Sequence, residues 1–270
     1  MARPIAFLSD LGIRDETVGV CHAVMRRIAP DSSIIDVGHG VPPMDIRTGA
    51  LTLLQALPYL PDDAVVVAVV DPGSGTDRAA LAVRTAKDRL MVGPDNGLLS
   101  LAWAQDGGVR EAVSITSPDV LFHPVSPVLN ARDVFSPGAA HLANGTALAR
   151  LGDPMDPGSL VAIAMPTPEI GAGRLAGEVL DVDRFGNVRL NVRSADLDAA
   201  GLEPGATLEI ASTAASSRAR RVTTYGQVQE GECGALQDAW GWLSIIRFGA
   251  SAADLLLVSV GDPVWVSAAE

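Results

Sequence analysis

The chain has 270 residues, 48% hydrophobic and only 4% aromatic, with 32 acidic against 20 basic side chains and a formal charge of −12. So acidic a balance makes a poor candidate for binding phosphate backbones, which need clustered Lys and Arg, and nucleic acid is not the expected partner. No apolar run approaches the roughly 20 residues that a membrane helix requires. MARPIAFLSD (1–10) enters a strand directly, with no basic leader or cleavage site, so the expectation is a soluble, cytoplasmic protein. Cys21 and Cys233 lack CxxC neighbours and read as free thiols of a reducing compartment, Cys21 in a helix and Cys233 in a Gly-rich turn.

In chain order, IAFLS (5–9) reads as a buried strand and ETVGVCHAVMRRIA (16–29) as a helix stopped by Pro30. SIIDV (33–37) is a second strand. DIRTGALTLLQALPYL (45–60) has apolar residues recurring at three and four, as a helix requires. AVVVAVVD (64–71) is apolar almost throughout, the pattern of a strand covered on both faces. ALAVRT (80–85) and RLMVGP (89–94) are strands, and NGLLSLAWAQ (96–105) is a helix. This alternation predicts an α/β domain with a mostly parallel sheet over residues 1–164.

AMPTPEIGAG (164–173) carries two prolines and two glycines and marks a boundary. Beyond it, short alternating runs separated by turn residues predict a smaller all-β barrel over 173–270. TAASSRARR (213–221) reads as a hairpin loop, and LLLVSV (255–260) as a short core strand.

Asp10, Asp71 and Asp95 each follow a predicted strand. Ligands of open α/β sheets bind beyond the carboxyl ends of the strands, whereas an isolated Asp there commonly caps a turn. In VDPGSGTDR (70–78), Gly73, Ser74 and Gly75 let a ligand approach the backbone, and Asp71 and Arg78 can meet as an ion pair. The loop is neither a GxxxxGK[ST] nor a GxGxxG motif. His22, His39, His123 and His141 show no HxH or HxxxH spacing, so no metal site is expected.

IAFLSDLGIRD (5–15), IIDVGHGVPPMDIRTGA (34–50), VVDPGSGTDR (69–78), VGPDNGLL (92–99), ARDVFSPGAAHLANG (131–145), DRFGNVRLN (183–191) and WGWLSIIRFGASAADLL (240–256) occur in that order. Together they resemble the S-adenosyl-L-methionine hydroxide adenosyltransferase family, relatives of the S-adenosyl-L-methionine-dependent fluorinase and chlorinase. The resemblance implies hydrolysis at ribose C5′ to adenosine and L-methionine, with no cofactor or metal. It also implies a homotrimer with sites between subunits. Position by position, it assigns Asp71 and Arg78 to catalysis, Asp10 to the ribose hydroxyls, and Asp15 and Asp183 to the methionine ammonium. Ser74 falls in the substrate loop, Phe185 and Tyr225 stack on adenine, Asn187 bonds its edge, and Arg247 lies at the adenine end.

One departure concerns catalysis. The family's third catalytic residue is a His, and this chain has Asn130 in VLNARD. An amide orients water but takes no proton, so the expected set is Asp71, Arg78 and Asn130; His123 lies seven residues upstream, a displacement that catalytic geometry tolerates poorly. Ala239 and Trp240 replace the polar pair that binds the methionine carboxylate in the halogenases. Two alternatives remain open at this stage: a non-catalytic binder of S-adenosyl-L-methionine or adenosine, and a halogenase, which Asp71 disfavours by repelling an anion.

Overall fold

A computed structural model describes residues 2–269. The chain divides into two compact units, Met1–Ala164 and Met165–Glu270. The first holds strands β1 (Ile5–Ser9), β2 (Ile34–Gly38), β3 (Val65–Val69), β4 (Ala80–Thr85), β5 (Leu90–Pro94), β6 (Val109–Ile115) and β7 (Gly152–Met155). Its helices are α1 (Thr17–Ile28), α2 (Ile46–Ala56), α3 (Ser100–Gln105) and α4 (Ser136–Ala143). The sheet order is β2-β1-β3-β5-β4-β6-β7. The β2-β1-β3-β5 half is parallel, and β4, β6 and β7 extend it antiparallel.

Alternation along the central strands sorts side chains to two faces. Ile5, Phe7, Val65, Val67 and Val92 pack with Cys21 and Met25 of α1 and with α4 on one side. Ala6, Leu8, Val66, Ala68 and Met91 pack with Leu53 of α2 and with Ala102 and Trp103 of α3 on the other. Burial on both faces explains why β3 reads as an uninterrupted apolar run. Asp45 starts α2 by accepting from Thr48 N at 2.9 Å, an N-cap bond that satisfies one orphan donor of the first turn. Predicted α3 begins four residues late, at Ser100, because Asn96 instead closes a turn by accepting from Leu98 N.

The second unit contains β8 (Glu169–Gly171), β9 (Arg174–Val182), β10 (Val188–Arg193), β11 (Thr207–Ala211), β12 (Ser216–Arg221), β13 (Cys233–Gln237), β14 (Trp242–Arg247) and β15 (Pro263–Ala268). The order β10-β14-β13-β12-β11-β15-β9 closes through β9–β10 into a seven-stranded barrel, with β8 paired to the start of β9. Helices α5 (Ser194–Ala199) and α6 (Ala252–Leu256) add Leu197, Ala252, Ala253 and Leu256 to the barrel core.

Three expectations are corrected here. TAASSRARR is mostly strand β12, with Ala219 facing the core. LLLVSV is not a strand: the Ser251 hydroxyl caps α6 by accepting from Asp254 N at 2.9 Å. That helix ends at Leu257, which sits left-handed at φ 53°. Cys233 opens β13 rather than a turn, its partner across the ladder being Arg247.

Candidate active site

In the first unit, β1 and β3 lie side by side with Ser9 opposite Val69, so Asp10 and Asp71 emerge at the same sheet edge. Asp10 N donates to Val69 O at 3.2 Å. The Asp10 Oδ2 atom accepts from Met44 N at 2.9 Å, which ties the β1 end to the segment after β2. Asp95, the third strand-end acid, accepts from Val161 N at 2.9 Å and stays out of the group. Its bond ties the β5 end to a segment 66 positions on, rather than capping the turn that follows.

Asp71 and Arg78 meet across their loop, with Arg78 Nη2 donating to Asp71 Oδ2 at 2.6 Å. Their side chains are 7% and 10% exposed, respectively, so this pair is far less screened than a surface bridge. The guanidinium lies 5.5 Å from the Phe135 ring centroid, and Arg78 Nη1 also donates to Ala79 O. Burial pushes the Asp71 carboxyl above its usual range, although Arg78 and then Asn130 pull the other way. Asp71 Oδ1 is buried and accepts no hydrogen bond of ordinary geometry. A buried carboxylate oxygen left open in this way is primed to accept one from a small hydroxylic ligand.

Asn130 arrives from the loop before α4, and its Nδ2 donates to Ser74 Oγ at 3.3 Å. What fixes this loop is a residue that motif reading did not assign. Asp133 is fully buried inside a wide helical turn, Ala131–Phe135, whose bonds follow the π pattern. Such turns recur at functional sites. Asp133 accepts from Arg132 Nε at 2.6 Å and Nη2 at 2.7 Å, and from Ser126 N at 2.8 Å. Phe122 N donates to its carbonyl. At Gly75, φ is +81° and an added Cβ would sit 3.2 Å from Pro127 O, so the loops bearing Asp71 and Asn130 need glycine at their closest approach. Asp15 is exposed and accepts from Thr17 N at 3.0 Å, a bond that holds its carboxyl below the usual range and starts α1. His123 faces elsewhere, bonded to Pro118 O at 2.9 Å.

The second unit carries its own group at one region of the barrel. Asp183 Oδ1 accepts from Phe185 N (2.8 Å) and Asn187 N (3.0 Å), and Oδ2 from Asn187 Nδ2 (2.8 Å). Its carboxylate is therefore largely engaged in shaping the DRFGN turn. The Asn187 amide nitrogen is occupied by that bond, which leaves the amide oxygen to accept from a ligand. Gly186 sits at φ +79°, and an added Cβ would come within 2.3 Å of Ser251 Oγ. Its carbonyl accepts from Ala252 N and Ala253 N. Phe185 is 72% and Tyr225 55% exposed, so both offer ring surface to a ligand, with the Arg184 guanidinium 5.6 Å from the Phe185 centroid. Burial, then Asp183 and Asp238, push the Tyr225 hydroxyl up. Arg247 ends β14 with Nε 3.5 Å from Gly231 O. Trp240 lies 4.7 Å over the Arg189 guanidinium, which bonds Asp181 and Asp238. A cavity of about 470 Å³ in this unit, lined by Arg220, Arg221, Thr223 and Gln227 among others, contains none of the predicted site residues.

The fold also gathers residues that sequence spacing left apart. His22 Nε2 and His39 Nε2 both reach Asp36 Oδ1, at 2.8 and 3.0 Å. No linear metal-ligand motif announces this, because α1 and β2 bring the three together only in space.

Comparison with known proteins gives the family. The profile of the SAM hydroxide adenosyltransferase N-terminal domain matches residues 5–152, and that of the C-terminal domain matches residues 177–265. The (R)-S-adenosyl-L-methionine hydrolase of Salinispora tropica is 46% identical over 98% of this chain and 97% of its own length. The hydrolase of the same name from Thermus thermophilus is 37% identical over 97% and 98%. A conserved protein of Thermotoga maritima, known from its crystal structure, superposes with a TM-score of 0.91 at 32% identity, covering 97% of this chain and 99% of that one. This chain belongs to the SAM hydroxide adenosyltransferase family.

Proposed function

We propose that the protein hydrolyses S-adenosyl-L-methionine by in-line attack of water on ribose C5′, giving adenosine and L-methionine. The observation that carries this reading is Asp71: a buried carboxylate with Oδ2 fixed by Arg78 and Oδ1 open. A water held on Oδ1 gives up its proton as its oxygen bonds to C5′, while the C5′–S electron pair leaves on the methionine thioether. The sulfonium is already a strong leaving group, so the chemistry asks for positioning and a proton acceptor rather than a cofactor. Burial, which raises the Asp71 carboxyl, also makes it a stronger base than a solvated one. Asn130 supplies an amide beside Ser74 to orient that water.

Asp10, with Oδ2 on Met44 N, keeps Oδ1 for the ribose hydroxyls. Exposed Phe185 and Tyr225 support stacking on adenine, and the Asn187 amide oxygen supports acceptance from its amino group. Asp15, Asp183 and Arg247 complete the substrate contacts, although the bonds that Asp15 and Asp183 already make leave each less free for the methionine ammonium. We propose a homotrimer with sites between subunits, tested by light scattering on eluted protein, and a cytoplasmic location in keeping with two free thiols. Among the described residues no helix is long and apolar enough to cross a membrane.

The test is to incubate purified, nucleoside-free protein with S-adenosyl-L-methionine, with and without chloride. Adenosine and methionine in equal amounts, indifferent to chloride, are expected. Substrate that stays bound and intact would replace this reading by a binding role, and 5′-chloro-5′-deoxyadenosine would replace it by halogenation.

A further inference from the structure

We propose that His22, Asp36 and His39 form a binding site for a divalent transition-metal ion of the zinc type, separate from the substrate chemistry. The ligand atoms come from three places: α1 supplies His22, β2 supplies Asp36, and His39 follows the end of β2. His22 Nε2, His39 Nε2 and a carboxylate oxygen of Asp36 all lie within 4.8 Å of one another. Both imidazoles bond the same oxygen, at 2.8 and 3.0 Å. Zinc–nitrogen and zinc–oxygen bonds near 2.0–2.2 Å give tetrahedral ligand–ligand edges of about 3.3 Å. The two nitrogen–oxygen edges thus need to lengthen by only a few tenths of an ångström to admit the ion, and the nitrogen–nitrogen edge lies within 4.8 Å.

Three further features fit a metal site better than a simple hydrogen-bonded cluster. Ser9 Oγ lies 2.8 Å from His39 Nδ1, and a hydroxyl there both donates and accepts. When His39 moves its proton from Nε2 to Nδ1 to free Nε2 for a metal, Ser9 serves the new tautomer equally well, as outer-shell partners of metal-bound histidines do. Phe7 meets both rings edge-on, with centroids 4.7 Å from His39 and 6.0 Å from His22, and limits their rotation. The site is also graded in exposure: the His39 side chain is 5% exposed, while that of Asp36 is 48% exposed. An ion therefore has an entry side, where water completes its coordination. Two imidazoles and one carboxylate select zinc, cobalt or nickel over magnesium and calcium, which prefer oxygen ligands.

The site's neighbours indicate what occupancy does. Gly12 N donates to His39 O at 2.8 Å, and Leu11 N donates to Ser9 Oγ at 3.3 Å. Both bonds hold the segment from Asp10 to Asp15. A bound ion pins α1, β2 and the β1 end together behind that segment, so it stabilises the fold without touching the Asp71 pair.

The experiment uses untagged full-length protein stripped with a chelator and titrated with zinc chloride by calorimetry, and with cobalt(II) by visible absorption. One equivalent of zinc per chain is expected, with a zinc-dependent rise in Tm. Cobalt is expected to give bands of low-coordinate nitrogen and oxygen ligation. H22Q and D36N, on side chains that are not fully buried, should each weaken zinc at least about ten-fold, and S9A by a similar factor. Circular dichroism confirms that each variant folds. Substoichiometric zinc uptake, or uptake that H22Q and D36N leave unchanged, overturns the proposal. Adenosine release by the stripped protein is a separate readout, so failure here leaves the hydrolase reading intact.

Discussion

Asp71→Asn removes one charge while keeping the shape of the side chain, and it isolates the proposed proton acceptor. Oδ1 accepts no hydrogen bond of ordinary geometry from the described residues, so the substitution acts mainly on the bond proposed to water. General-base catalysis by a positioned side chain contributes about 10²–10⁴-fold. A buried, charge-paired base belongs near the middle of that range, so kcat should fall about 10³-fold, or ~4 kcal/mol of barrier. Stability should move little, for a reason that follows from the sign of the shift. Asp71 has its folded pKa raised, chiefly by burial. Such a group adds stability below its unfolded pKa and loses that contribution as pH rises through the folded pKa. At neutral pH the ionised carboxylate therefore opposes folding, and Asn relieves this. In exchange Arg78, 10% exposed, keeps only a neutral acceptor. The two changes oppose each other, and Tm should shift by less than about 4 °C, roughly 1–2 kcal/mol in a chain of this size. Adenosine release at saturating substrate, with thermal melts alongside, measures both. The same pKa direction predicts that wild-type kcat/KM falls toward acid with a limb above the usual carboxylate range, and that this limb vanishes in the variant. Retention of more than about a tenth of wild-type kcat, or an unchanged acid limb, would refute Asp71 as the base.

Asn130→His places a second proton acceptor beside Ser74 and should raise kcat up to about ten-fold; steady-state rates compared with wild type decide it. Asn187→Ala removes the acceptor offered to adenine and should raise KM about ten-fold at nearly constant kcat, the loss of one hydrogen bond of ~1.4 kcal/mol. Gly186→Ala forces a Cβ to 2.3 Å from Ser251 Oγ at positive φ and should lower stability by at least about 2 kcal/mol in urea melts. Asp133→Asn unpairs a fully buried carboxylate from Arg132 and Ser126 and should cost about 3 kcal/mol. It should also reduce kcat by loosening Asn130, while a Lys in place of Arg132 should restore neither.

Much of the fold was legible because burial on both faces leaves a plain signature: β3 is apolar throughout and β1 as far as Leu8, and α1 and α2 carry helical periodicity. What escaped was set by contacts distant in sequence. Strand β12 hides in SSRARR because alternate positions face solvent and only Ala219 and Arg221 turn inward. The helix in SAADLL depends on a serine cap that also packs against Gly186, a pairing across 65 positions of chain. At the site, motif order brought out Asp71, Arg78, Ser74 and Asn130, and the fold brings these four together. Motif order could not distinguish a carboxylate with an open oxygen from one bound into its own turn. Asp71 is the former and Asp183 largely the latter, although both look alike as acidic residues in short loops. The His22–Asp36–His39 cluster was invisible for the complementary reason: its members lie 14 and 3 positions apart with no repeat, and only the packing of α1 beside the end of β2 sets them face to face.

The arrangement around Asp71 also bears on which nucleophile attacks. Two unit charges about 4 Å apart interact by about 4 kcal/mol at the effective dielectric of a partly buried site. An anion placed against Oδ1 meets repulsion of that order, and Arg78 cannot offset it fully because its guanidinium is already committed to Oδ2 at 2.6 Å. A halide would also give up its hydration shell on entry, and the pair as a whole offers it no net positive charge. Water meets neither obstacle: it donates to Oδ1, gains rather than loses by the negative charge, and becomes a better nucleophile as that bond shortens. On the proposed mechanism the same carboxylate excludes anions and activates water. In Asp71→Ala those two roles separate: loss of water attack without any gain of chloride attack would mean that the exclusion also resides in the walls around the site, whereas even slow chloride-dependent turnover would locate it in this one charge.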